Sequence, residues 1–253
     1  MKSISVIAVE GIGEVKAGMD LAQVIIRAAE ADGITFKEND ILVVAQKIVS
    51  KAEGRFVNLR EVVPTPEAYR LAEKSGKPPA LCQLIINESV SLIRVAPNVI
   101  IAETRCGCVC ANAGIDRSNT GQKDDWVLLL PENPDQSAKR IAEGIKGYLG
   151  FDVAVIINDT QGRPFRRGAV GTAIGVFGIN PLKSYVGLVD RYGRVLHSSV
   201  EAVADEIAAA STILMGQGNE GCPVVIFRGY DYLYAPKSGA REILRDPEED
   251  LFR

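Results

Sequence analysis

Residues 158–168 read N-D-T-Q-G-R-P-F-R-R-G, an acid and a hydroxyl followed by a Gly/Pro turn that carries three arginines. A carboxylate such as Asp159 can hold a hard cation, and Thr160 can add a hydroxyl or carbonyl oxygen. Arg163, Arg166 and Arg167 offer planar forks that match phosphate or carboxylate oxygens. So much charge is costly in a purely structural loop, and this segment is read as functional.

Three further polar segments are more ambiguous. Residues 112–119, N-A-G-I-D-R-S-N, combine small residues with the oxygen donors of Asn and Asp, Asp116 among them. An Asx-rich turn uses the same residues and is the simpler reading. Residues 50–55, S-K-A-E-G-R, can set the Lys51 ammonium beside phosphate oxygens while Gly54 turns the chain; a solvated turn with surface charges is the alternative. Residues 216–221, G-Q-G-N-E-G, match G-x-G-x-x-G letter for letter. A helix pattern precedes them and a strand pattern follows, the reverse of a dinucleotide-binding turn, so that reading is rejected. They can still bring backbone up to a nucleotide, or stop a helix at Gly216 or Gly218 with positive φ.

Several familiar sites are missing. No G-x-x-x-x-G-K-[ST] sequence occurs, and the single histidine, His197, excludes a multi-His zinc site and reads as a surface or hydrogen-bonded side chain. Cys106, Cys108 and Cys110 alternate, so an extended segment would place them on one face, but this is not C-x-x-C ligand spacing.

Strands and helices must position these segments. A strand at 3–9, within an alternating run from 1 to 10, leads through glycines to a helix at 21–31 with Asp20 as its cap. The β-branched run at 41–49 reads as a buried strand. Thr65-Pro66-Glu67 caps a helix with helical spacing through Leu71, and 80–87 reads as another. Strands are expected at 90–95, 99–104 and 126–130, and a helix at 135–149. An apolar strand at 152–157 gives way to a polar loop at Asn158, with further strands at 171–178 and 223–227. The Ala-rich stretch 200–214 is apolar on most sides and reads as a buried helix, and 246–250 as a solvated acidic tail. The fold class is α+β, or mixed α/β, neither Rossmann nor P-loop.

The chain has 253 residues and a formal net charge of -3, which argues against a nucleic-acid binder. No apolar run is long enough to span a membrane, the N-terminus carries no signal pattern, and the odd count of five cysteines reads as reduced thiols in the cytoplasm.

Taken together and in order, these segments resemble the coenzyme F-420-0:L-glutamate ligase family over essentially the whole chain. The motifs are V-S-K-A-E-G-R at 49–55, C-A-N-A-G-I-D-R-S-N at 110–119 and D-T-Q-G-R-P-F-R-R-G at 159–168. A-I-G-V-F-G-I at 173–179, D-R-Y-G-R-V-L-H at 190–197, V-A-D-E-I-A at 203–208 and M-G-Q-G-N-E-G at 215–221 complete the pattern. The resemblance implies a homodimer of a two-part fold, one ligase unit over 1–253 built from two intertwined subdomains. It also implies GTP as co-substrate, two divalent ions (Mg or Mn) with room for a monovalent cation, the deazaflavin F-420-0 as acceptor, and L-glutamate. Some relatives carry a fused reductase domain; with the last residue at Arg253, that activity is expected to be absent.

By position, the resemblance makes Asp116, Asp159, Thr160 and Gln217 metal ligands, Gln217 standing where the family can use a carboxylate. Nucleotide contacts fall on Gln46, Lys47, Lys51, Asn119 and the loop of Met215, Gly216, Gln217, Gly218, Asn219, Glu220, Gly221 and Cys222. An N-terminal nucleotide turn, often Leu-Pro in the family, here reads Ile12, Gly13, Glu14, Val15. The expected chemistry is attack of the acceptor carboxylate on the GTP γ-phosphate, then displacement of phosphate from the acyl phosphate by the glutamate amine. Lys51, Arg163, Arg166 and Arg167 would supply positive charge where it is needed. A second glutamate would add through the γ-carboxylate of the first. A related ligase for another phosphorylated acid, or a metal-dependent nucleotide-binding protein without turnover, would carry similar segments.

Overall fold

The computed structural model describes residues 3–121 and 124–251, so Met1 and Lys2 of the N-terminal run lie outside the described residues. In chain order the strands are β1 (Ser5–Val9), β2 (Ile41–Ala45), β3 (Phe56–Asn58), β4 (Ser89–Ala96), β5 (Val99–Thr104), β6 (Val109–Ala111) and β7 (Trp126–Leu128). They continue with β8 (Ala154–Arg163), β9 (Arg166–Ile179), β10 (Lys183–Ser184), β11 (Val200–Glu201), β12 (Val224–Arg228) and β13 (Tyr234–Ala235). The α-helices are α1 (Leu21–Ala31), α2 (Gln46–Ala52), α3 (Pro66–Ser75), α4 (Pro79–Glu88), α5 (Pro134–Leu149) and α6 (Val203–Met215).

The main sheet runs β1-β12-β2-β8-β9-β13, with β2 and β8 parallel and every other neighbouring pair antiparallel. Its inner strands alternate between two cores, as a period-2 backbone requires. Leu42, Val44, Val155, Ile157, Val224 and Ile226 face α1 and α5. Ile41, Val43, Ala154, Ile156, Val225 and Phe227 face α6. A smaller sheet, β4-β5-β6, packs with α3 and α4 around Leu71, Leu81, Ile85 and Ile100. Helix α1 starts where Asp20 accepts hydrogen bonds from the Ala22 and Gln23 amides at 3.0 and 3.3 Å. Its apolar residues at 21, 22, 25, 26, 28 and 29 then form the buried face.

Four sequence expectations are corrected. The strand expected at 41–49 stops at Ala45 and becomes helix α2. The last ladder contact of β2 is Ala45 opposite Asn158, after which Gln46 bonds Ser50 across one helical turn at 2.7 Å. The loop expected from Asn158 is strand instead: β8 continues to Arg163 and folds back into β9, with Asp159 opposite Thr172 and Arg163 opposite Arg166. The helix expected from 200 begins at Val203, and it is one-sided. Val203, Ala204, Ile207, Ala208 and Ser211 are buried, while Ile213 is 82% exposed. Cys106 sits in a turn and only Cys110 lies on β6, so the three cysteines do not share a strand face.

Candidate functional site

Strand β2 leaves the sheet at Ala45, but its parallel neighbour β8 continues for five residues beyond Asn158. That mismatch leaves the far end of β8 open on one side, at the carboxyl ends of two adjacent parallel strands, where open α/β sheets characteristically form ligand crevices. A cleft of about 590 Å³ occupies it. Its walls come from Gly13 and Glu14, helix α2, the 110–121 segment, residues 158–162 and the glycine loop after α6.

Because α2 places residues four apart on one face, Lys47 and Lys51 both point into the cleft. Lys47 Nζ lies 3.5 Å from Asp116 Oδ2 and donates to the Ser118 carbonyl at 3.1 Å. Lys51, with its side chain only 7% exposed, donates to Glu14 Oε1 at 2.6 Å. Asp116 is held by a two-way backbone bridge to Leu128 at 2.9 Å each way.

Asp159 faces Asp116. Burial, and then the neighbouring Asp116 charge, push the Asp159 carboxyl up from its ordinary 3.8 to about 7, against weaker opposing contacts from Gln161 and Thr160. Burial also raises Asp116, with Lys47 pulling the other way. Successive strand residues point to opposite faces, so Thr160 turns away from this acidic pair and donates to Gln217 Oε1 at 3.0 Å. The donors thus form two poles, one of two carboxylates and one of neutral oxygens.

This donor set fits hard divalent cations. Burial raises both half-buried carboxylates and the Asp116 charge raises Asp159 further, while the Lys47 ammonium beside Asp116 offsets only part of this. Among the described residues no group of three or more His, Cys, Asp or Glu converges, and the further oxygen donors in the cleft include Thr160 and Gln217.

Helix α6 ends at Gly216, whose φ of +66° excludes most side chains and whose Cα abuts the Glu220 carboxylate. Glu220 accepts from the Gly218 amide at 2.7 Å, and Asn119 donates across the cleft to the Gly218 carbonyl at 2.9 Å. The loop is therefore pinned from inside and from the opposite wall. Behind it, the buried Asn158 donates to Thr212 at 2.9 Å while its Oδ1 has no partner.

Of the residues singled out in the sequence, the cleft gathers Gly13, Glu14, Gln46, Lys47, Lys51, Asp116, Asn119, Asp159, Thr160 and residues 215–222. Ile12 and Val15 are buried in the core and anchor the turn rather than line the cleft. Arg163, Arg166 and Arg167 stand beyond its wall at the β8–β9 hairpin tip, where Arg163 donates to the Gly168 carbonyl at 3.0 Å. His197 is exposed. The sequence reading missed the cleft residues Gly121 and Thr212, and it gave no individual role to Ser118 and Asn158 inside the segments it singled out. A hydroxyl inside the Ala-rich α6 was the one available signal for Thr212.

The cysteines form a second cluster beside the site. Hydrogen bonding from Cys108 lowers the Cys106 thiol to about 6, whereas burial pushes Cys110 up to about 12. All five cysteines are free thiols.

The profile of the F420-0:gamma-glutamyl ligase family matches residues 11–229. A coenzyme F420:L-glutamate ligase of Methanothermobacter thermautotrophicus is 48% identical over 251 residues, covering 99% of both chains. Proteins of the same name from Methanopyrus kandleri and Archaeoglobus fulgidus are 45% and 41% identical, covering 95% and 99% of this chain and 94% and 96% of their own.

Proposed function

The chain belongs to the F420-0:gamma-glutamyl ligase family, and on that premise we propose that it joins L-glutamate to the terminal carboxylate of the deazaflavin F-420-0 at the expense of GTP. One observation carries this reading. Two lysines, two carboxylates raised by burial and a pinned glycine loop converge on one cleft from segments far apart in sequence.

A carboxylate is a poor electrophile, so amide formation needs an activated acyl group. An oxygen of the acceptor carboxylate attacks the γ-phosphorus, the bond to the β-phosphate oxygen breaks, and its electron pair leaves on GDP. The glutamate nitrogen then attacks the acyl carbon and phosphate departs. Asp116 and Asp159, with Thr160 and Gln217, would hold Mg or Mn, which neutralises charge on the phosphate oxygens when bound. Lys51 gives a fixed charge deep in the cleft, and Lys47 becomes available to anions once Asp116 has another counter-charge. The hairpin-tip arginines Arg163, Arg166 and Arg167 meet the anionic groups of the incoming substrates. Further γ-linked glutamate addition and a homodimeric state are part of the same proposal. No described helix is long and apolar enough to cross a membrane, and the free thiols suit a reducing compartment such as the cytoplasm.

Incubation with F-420-0, GTP, Mn and glutamate should yield a product heavier by one glutamyl residue, read by mass spectrometry. Phosphate release that ignores the acceptor and glutamate would remove the ligase reading.

A further inference from the structure

Lys51 is the innermost cation of the cleft, yet its ammonium is already engaged. It lies in the last turn of α2 and donates to Glu14 Oε1 at 2.6 Å. Glu14 comes from the irregular segment between β1 and α1, where the buried Ile12 and Val15 fix the backbone while Gly13 and Glu14 face the cleft. The Glu14 side chain itself is 60% exposed. From the opposite wall Gly121 approaches so closely that a Cβ there would stand 2.8 Å from the same Oε1. One carboxylate thus reaches from the N-terminal segment toward the 118–121 turn and rests on the buried lysine.

We infer that Glu14 is a displaceable latch, its carboxylate holding the place on Lys51 that a phosphoryl oxygen of the nucleotide takes. The inference rests on the nucleotide reading of the cleft. An ammonium this shielded needs a counter-charge, and Glu14 supplies it. A phosphoryl oxygen cannot join the carboxylate on Lys51 without bringing like charges together, so one must leave. Glu14 can leave, because most of its side chain already faces solvent and Gly121 puts no side chain in its way. The latch then competes with any polyphosphate, whatever its base, and lowers the apparent affinity by the fraction of molecules that are latched.

Calorimetric titration of the whole protein with inorganic triphosphate, GTP and ATP, each with Mn, tests this. Glu14→Gln and Glu14→Ala should bind all three about fivefold more tightly than wild type, the scale of a half-exposed ion pair. Lys51→Ala should lose most of the affinity for all three. Without ligand, Glu14→Gln should melt below wild type and gain more from added triphosphate. Unchanged affinities would overturn the latch. So would a loss confined to GTP, which would make Glu14 a reader of the base. If wild type and both Glu14 variants bind no triphosphate, the nucleotide reading falls and takes the latch with it.

Discussion

Replacing Asp159 with Asn removes one charge from the acidic pair while keeping its shape. Ionising this carboxyl at about 7 rather than 3.8 makes its charged form about 4 kcal/mol more costly in the folded protein than in the unfolded chain. The sign follows from proton binding. Between pH 4 and 7 the folded state keeps a proton that the unfolded state has lost, so stability from this group is full at low pH and falls as pH rises through 7. Asn carries no such cost, but it weakens the contacts with Gln161 and the Thr160 amide. In EDTA at pH 8 the variant should therefore be more stable than wild type by about 1–3 kcal/mol, and the gap should shrink steadily toward pH 4. Added Mn should stabilise wild type far more than the variant, because a ligand stabilises only the state that binds it. Activity should collapse. Thermal melts at three pH values, with EDTA and with Mn, read all of this. A variant that melts well below wild type in EDTA and responds normally to Mn would refute the metal assignment of Asp159.

Lys51→Ala should raise KM for GTP and slow phosphoryl transfer, with Arg an incomplete rescue, because a broad fork does not replace an ammonium held at 2.6 Å from its partner. An unchanged steady-state profile would return Lys51 to a structural role. GTP should exceed ATP strongly in kcat/KM, and comparable values would contradict guanine selection by this cleft. Asp40→Asn should cost about 3 kcal/mol in urea unfolding, since Asp40 is 1% exposed and accepts both Arg228 Nε and Nη2 at 2.7 Å. A loss below about 1 kcal/mol would mean that the pair is solvent-screened.

The elements legible in the sequence were those whose local signals agree with their tertiary setting. Helices α1 and α3 follow their caps, Asp20 and Thr65, and β5 runs from Val99 to Thr104 as its pattern predicts. The pattern failed where the cleft is made. Ile48 and Val49 read as a continuation of the apolar strand before them, but pairing with β12 and β8 ends at Val44 and Ala45, and the chain turns into helix at Gln46. Residues 159–163 look like a polar loop because the open edge of β8 faces the cleft instead of a core. The acids, the lysine and the glycine loop stand out by residue type and do line the cleft, whereas Ser118, Asn158 and Thr212 join it only through where the fold places them. The pairing of Lys51 with Glu14 spans 37 residues and had no local signature.

The most direct measurement labels the acceptor carboxylate of F-420-0 with oxygen-18 and follows the label through turnover with GTP, glutamate and Mn. If the cleft aligns that carboxylate with the γ-phosphate, each phosphate released should carry one labelled oxygen, and release should require the acceptor. Unlabelled phosphate accompanying normal amide formation would contradict the account.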